Sequence, residues 1–163
     1  MTRSIGETAG APTAPWCCGR TECIADHPWR NRFGAEQNLL LAITARLQGR
    51  PNDDLFLLDT AAAWSLVGGD IAEALGRLAG GSGAPVTMDT RLVTVHGTLE
   101  RVTFTLPADA GEDLQVDATV MVAHEWRGPP VIGFHCMLDR LRFAVDPGVD
   151  SDHPPLFYFG PCG

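Results

Sequence analysis

Leu114, Val116, Ala118, Val120 and Val122 place an apolar residue at every second position over nine residues of the chain. Successive side chains of a strand point to opposite faces, so this pattern specifies a β-strand with one face buried. The same period recurs in Leu39, Leu41, Ile43, Ala45 and Leu47, and in Val93 and Val95. It returns in Val102, Phe104 and Leu106, after His96-Gly97. Two alternating arms about a central glycine predict a β-hairpin that turns at Gly97. Leu55-Phe56-Leu57-Leu58 is a short continuous apolar run and predicts a strand buried on both faces. Phe143 to Asp146 and Leu156 to Phe159 predict closing strands.

Helical signals are few. Asp70 can cap, Glu73 follows three residues later, and Ile71, Ala74, Leu75 and Leu78 make one apolar stripe ended by Gly80 and Gly81. This predicts a helix over about 70–79. Val131-Ile132-Gly133 reads as a short buried run, followed by a short helix over about 134–142 with Met137, Leu138 and Leu141 inward. Gly (18) and Pro (12) are abundant, which fits short strands and many turns. The fold class is mainly β.

The 163 residues amount to one domain. Residues 1–34 show neither period and read as a poorly ordered tail, with the domain over 35–163. Cys17, Cys18, Cys23 and His27 lie in that tail. They are either incidental thiols or a zinc station, and the adjacent Cys17-Cys18 pair chelates badly in zinc geometry. No metal and no cofactor is therefore assigned. The five cysteines are an odd number without a signal-like apolar start, so reduced thiols and a cytoplasmic location are expected.

Net charge is −8, and all 12 basic residues are arginine. This disfavours binding to nucleic acid or to anionic membrane surfaces. No apolar run approaches a membrane span. Several chemistries drop out: there is no Gly-x-Ser-x-Gly elbow, no phosphate-cradling loop, and His124-Glu125 lacks the second histidine of a zinc protease helix. His135 and Cys136 are sequence neighbours and make a poor catalytic dyad.

Asp59 stands apart. It directly follows the Leu55–Leu58 run, so it enters the domain partly desolvated, and the small residues Ala61 and Ala62 leave room for an approaching group. Burial and a second nearby carboxylate would let two carboxyl groups share a proton, one activating water and the other protonating a carbonyl oxygen. Alternatively, Asp59 caps a turn at a strand end.

Phe56-Leu57-Leu58-Asp59-Thr60-Ala61-Ala62, followed by Ser65-Leu66-Val67, resembles the active-site segment of retropepsin-like aspartic proteases. Val131-Ile132-Gly133-Phe134 resembles that family's second mark, two apolar residues and a glycine leading into a short helix. The order and spacing match over about Leu39 to Phe159. The resemblance implies a closed β-barrel protomer and a homodimeric endopeptidase acting on a peptide or protein substrate. Asp59 of each protomer would form the aspartyl dyad, with Thr60 orienting it across the twofold axis. Ala61, Ala62 and Gly133 would line the substrate floor, and a flap with its tip at Val95 to Leu99, including His96 and Gly97, would cover it. Leu156-Phe157-Tyr158-Phe159 is the expected interface strand.

Two positions depart from the family. Ala61 stands where the family has glycine, which narrows the groove and would be strained at positive φ. Ala63 and Phe134 replace a charged pair of the retroviral members together, which strands no charge. The Ala61 departure keeps open a catalytically inactive peptide- or protein-binding module. An unrelated β-rich binding domain with an N-terminal zinc station is a further alternative.

Overall fold

The structure is a computed structural model, and it describes residues 19–22, 41–79, 83–90, 93–146, 152 and 154–162. Among the described residues, eleven strands, one α-helix and one 3₁₀ turn follow in chain order. The first part runs β1 (Gly19–Glu22), β2 (Ala42–Leu47), β3 (Asp54–Leu58), β4 (Ser65–Val67), α1 (Gly69–Ala79), β5 (Ala84–Asp89) and β6 (Thr94–Leu106). The second runs β7 (Ala110–Gly111), β8 (Leu114–Val122), β9 (Val131–Ile132), the 3₁₀ turn Leu138–Arg140, β10 (Leu141–Asp146) and β11 (Leu156–Pro161).

Six strands close into a barrel. Their order is β2-β3-β9-β4-β8-β6, and β6 returns to β2 through Arg46↔Thr105 and Leu47↔Phe104. Closure removes the sheet edges that would otherwise invite aggregation. Ile43, Leu47, Phe56, Phe104, Leu106 and Ile132 are fully buried inside, and Phe56 meets Phe104 edge-to-face at 5.4 Å between ring centres. The mainly β class and the closed barrel are thus as expected. The alternating pattern of Leu114–Val122 does form one strand, with Val116, Ala118, Val120 and Val122 turned to the core.

The helix near 70–79 forms as α1, with Ile71, Ala72 and Leu75 buried against the barrel. Asp70 lies within its first turn and accepts a bond from Arg50 Nη2 at 3.1 Å.

Four expectations need correction. First, the hairpin does not turn at Gly97. β6 runs unbroken through His96-Gly97, and its hairpin with β5 is closed by Thr90 and Val93, which bond through both backbone and the Thr90 hydroxyl. Gly97 serves a close approach instead: a Cβ there would lie 2.4 Å from the Val122 carbonyl oxygen. Second, the helix near 134–142 shrinks to a single 3₁₀ turn. Cys136 has φ of +59°, which no α-helix accommodates, and the chain is extended again from Leu141.

Third, the segment before residue 34 contributes a strand. β1 pairs with β11 from Gly19↔Phe159 to Glu22↔Leu156, and on its other side with β7. Thr21 is buried and donates to Asp109 Oδ2 at 3.2 Å, a local role that no apolar period announces. Cys17, Cys18, Cys23 and His27 lie outside the described residues, as does Leu39. Fourth, β11 is internal to the four-stranded sheet β10-β11-β1-β7. Its backbone pairs on both sides within the chain, and Phe157 and Phe159 are core residues, so it offers no edge to a partner.

β3 is also less enclosed than a doubly buried strand. Phe56 alone is fully buried; Leu58 packs on the barrel core and Leu57 on a second apolar cluster outside it. Among the described residues, no helix is long and apolar enough to cross a membrane.

Candidate active site

The candidate site is built by one crossing of strands. β3 and β4 are consecutive, yet they do not pair, because β9 lies between them. β9 runs parallel to β3 (Leu57↔Val131, Leu58↔Ile132) and antiparallel to β4 (Leu66↔Val131). The connection 59–64 must therefore arch over the end of β9, and this arch carries Asp59.

Backbone bonds hold the arch. Asp59 N–H donates to Ile132 O at 3.0 Å, Phe134 N–H to Ala62 O at 2.8 Å, and His135 N–H to Ala63 O at 2.9 Å. Within the arch, Ala62 N–H donates to Asp59 O at 3.1 Å, and Ala61 N–H donates to the carboxylate Oδ1 of Asp59 at 2.9 Å. The last bond is an Asx turn, the local chemistry that an aspartate at a strand end favours. It fixes one carboxylate oxygen in a defined direction.

The tight passage explains Gly133. A Cβ at that position would lie 2.4 Å from both the carbonyl carbon and oxygen of Trp64, inside any tolerable contact. Its N–H donates to Ser65 Oγ at 3.1 Å, and Ser65 is fully buried. An unmet N–H at such a depth would cost about 1–3 kcal/mol, so Ser65 answers a need that the crossing creates.

Asp59 is half-exposed, and Thr60 and Ala61 are exposed. The carboxylate is thus only partly withdrawn from solvent. Ala61 is not among the residues at positive φ, where Cys136 is the sole non-glycine among the described residues. The strain anticipated for Ala61 is therefore absent.

Of the other predicted site residues, Ala62 and Val95 share an apolar cluster with Leu66, Met121, Ala123 and Val131, flanked by Trp64, Val86 and Met88. This patch joins the arch to the β5–β6 hairpin. His96 is exposed and faces Thr87 on the neighbouring strand, with Nδ1 3.1 Å from Oγ1. Gly97 pairs with Val86. Asp59, Thr60, Ala61, Ala62 and Gly133 are brought together, whereas His96 and Gly97 belong to the hairpin arm and not to its tip.

Sequence reasoning placed Ser65 and Phe134 in the two matching segments but gave neither a site role; Phe134 is 42% exposed beside the arch. Its ring meets that of His135, which in turn lies 5.7 Å from Trp64. The available signal for Ser65 was a lone hydroxyl inside Trp64-Ser65-Leu66-Val67. A polar side chain in a buried run requires a partner.

Among solved structures, the chain is similar to a retropepsin-like aspartic protease from Rickettsia conorii, with 16% sequence identity and a TM-score of 0.46. The alignment covers 91% of this chain and 99% of that one. No protein-family model matches the chain, and no curated protein does.

Proposed function

We propose that this protein is an aspartic endopeptidase that hydrolyses peptide bonds through two Asp59 carboxylates, one from each subunit of a homodimer. The observation that carries this reading is the arch itself. It presents a single half-exposed carboxylate at its start, with Oδ1 held by Ala61 N–H at 2.9 Å and the backbone anchored to Ile132. A carboxylate so placed at a surface can meet its twofold copy, and the pair then supplies both functions that amide hydrolysis needs. One carboxylate takes a proton from the attacking water, and the other, protonated, donates to the carbonyl oxygen.

Thr60, next in the arch and exposed, is the orienting residue across the axis in this reading. Ala61, Ala62 and Gly133 form the floor under an extended peptide. The β5–β6 hairpin, closed by Thr90 and Val93, is the covering element, and Val95 is part of the apolar patch beneath its arm. A cytoplasmic location belongs to the same proposal.

The test is hydrolysis of a diverse peptide library by the wild type and by Asp59→Asn. The wild type should cleave with a bell-shaped pH profile on the acid side of neutral, because the dyad works only with one proton shared between two carboxyls. Asp59→Asn should abolish cleavage while leaving thermal unfolding nearly unchanged. Cleavage that survives the substitution removes Asp59 from the mechanism.

One observation favours a second reading. Ala61 is exposed and its N–H holds Asp59 Oδ1, and a methyl group at this position, where the family has glycine, would narrow the floor. A module that binds peptides without cutting them, with Asp59 as a hydrogen-bond acceptor, would show peptide binding and no hydrolysis at any pH.

A further inference from the structure

Glu100 is 6% exposed, and it is the one charged side chain so enclosed among the described residues. Alternate residues of a strand share a face, so in β6 it stands in line with Val102, Phe104 and Leu106 of the barrel core. An apolar side chain would continue that pattern. A carboxylate there gives up hydration, and no cation among the described residues pairs with it. What it has instead is held on one oxygen. Oε1 accepts the backbone N–H of Gly83 at 3.0 Å and the hydroxyl of Thr98 at 3.3 Å. Gly83 passes so near that a Cβ would collide with Oε1 and with the Leu99 carbonyl oxygen.

Both partners mark the place where the β5–β6 hairpin leaves the barrel. β6 pairs with β8 as far as Thr98↔Val122, whereas it pairs with β5 from Ala84↔Leu99 to Asp89↔Thr94. Beyond Thr98 the hairpin is therefore a two-stranded arm, and β5 ends the sheet order with β6 as its neighbour. A two-stranded ribbon is marginal in water by itself. Its direction depends on the apolar patch beneath it and on how its root is held. Val86, Met88 and Val95 of the arm share that patch with Ala62 of the arch. At the root, Gly83 precedes β5 and Thr98 is the last β6 residue paired with β8, so one carboxylate oxygen grips both strands. The geometry points to Glu100 as the positioning residue of this arm: its Oε1 fixes the angle at which the hairpin lies over the arch that carries Asp59. For its consequence in hydrolysis the inference rests on the peptidase reading above, in which the arm covers the substrate. The grip on the arm does not depend on that reading.

Hydrogen exchange of the full-length protein, read without substrate, tests the grip. Thr90 N–H donates to Val93 O, so Met88↔Val95 and Val86↔Gly97 are the hydrogen-bonded pairs of the arm. Glu100→Leu removes the acceptor and should speed exchange at those four amides about tenfold or more, as expected for a lost bond to a charged group. The amides of Val102 and Ala118, paired between β6 and β8, should keep their rates. Glu100→Gln keeps an acceptor oxygen and should stay within about twofold of the wild type. Thr98→Val removes one of the two bonds and should speed the arm about threefold. On peptides, Glu100→Leu should raise KM about fivefold or more with kcat within about twofold, because a loosened arm weakens binding and leaves Asp59 in place. Unchanged exchange in Glu100→Leu overturns the proposal, as does equal acceleration at Val102 and Ala118, which is general destabilisation. A Glu100→Gln arm as loose as that of Glu100→Leu overturns it too. If Glu100→Leu does not fold, Thr98→Val decides, and an arm unchanged in that variant overturns the proposal. A loosened arm with KM unchanged overturns the link to substrate. A wild type that cleaves no peptide, with the arm loosened as expected, overturns the peptidase reading alone.

Discussion

Ser65 Oγ accepts the backbone N–H of Gly133 at 3.1 Å, across 68 residues of sequence and in full burial. The two residues are coupled twice. Ser65 begins β4, Gly133 follows β9, and the Trp64 carbonyl presses so close to Gly133 that no side chain fits there. Ile132, next to Gly133, accepts the N–H of Asp59. A buried hydroxyl thus reaches the candidate carboxylate through two backbone groups. Ser65→Ala should cost about 1–3 kcal/mol in denaturant unfolding, the penalty of an unmet buried N–H. Gly133→Ala should cost more than the usual 1–3 kcal/mol of an overpacked core, because the obstacle is backbone and cannot swing aside. Both should lower any peptidase activity at temperatures where the variant stays folded.

Removal of residues 1–34 is the next test. β1 fills the space between β11 and β7, and its Gly19 backbone packs where a Cβ would meet Glu112, Ala108 and Phe159. Truncation strips β11 of one ladder and uncovers Phe157 and Phe159. We expect the melting temperature to fall by about 10 °C or more, on the basis that each lost kcal/mol moves a chain of this size by about 2–4 °C. Truncation from residue 1 to residue 18, which spares β1, should cost much less. Equal losses in the two truncations would show that β1 contributes little.

Arg50 ties the β2–β3 connection to the start of α1. Its Nη2 donates to Asp54 Oδ1 at 2.9 Å and to Asp70 Oδ2 at 3.1 Å. Its Nε lies 2.8 Å from Asp54 Oδ2 without the alignment of a hydrogen bond. Burial pulls the Arg50 pKa down, but Asp54 and then Asp70 more than offset it, so the net direction is up. A raised basic pKa gives stability that is fully present below its unfolded value and is lost only as pH climbs through the folded one. That window lies far above neutral, so the arginine side of this pair does not titrate under physiological conditions. Arg50→Ala should cost about 1–2 kcal/mol, since it leaves Asp54 partly buried and unpaired. Asp70→Asn should cost about 0.5 kcal/mol or less, because the Asp70 side chain is 80% exposed. Urea unfolding of the two variants checks the ratio.

The barrel was legible in the sequence wherever one face of a strand is wet. Val116, Ala118 and Val120 alternate with Gln115 and Asp117, which meet solvent, and with the half-buried Thr119, whereas Met121 on that same face is buried in the outer apolar cluster; α1 is legible at period 3.6. What stayed hidden is non-local. Gly97 looked like a turn because glycine marks turns, yet its lack of a Cβ serves the Val122 carbonyl on the next strand. β1 is four residues whose partners lie about 90 and 140 positions further along the chain, too short for any period to show. The arch was half legible. An apolar run ending at Asp59, and a second ending at Gly133, are local facts. That β9 passes between β3 and β4, and so requires Ser65, is a property of the pairing alone.

Ala61→Gly separates the two effects that this position can exert. Had Ala61 occupied positive φ, glycine would relieve strain and stabilise the fold. Its φ lies outside that region, so the change brings only the added freedom of glycine in the unfolded chain. Stability should therefore fall slightly, by about 0.4–1 kcal/mol, with the Asx bond from the residue-61 N–H to Asp59 Oδ1 preserved. If the methyl group obstructs an extended peptide, kcat/KM for library peptides should rise in the variant despite the lower stability. That opposition of signs is the diagnostic. A gain in stability would mean that the backbone of 61 is strained after all. Failure of both wild type and Ala61→Gly to cleave between pH 3 and pH 7, with the dimer confirmed in solution, would retire the peptidase and leave the peptide-binding module in its place.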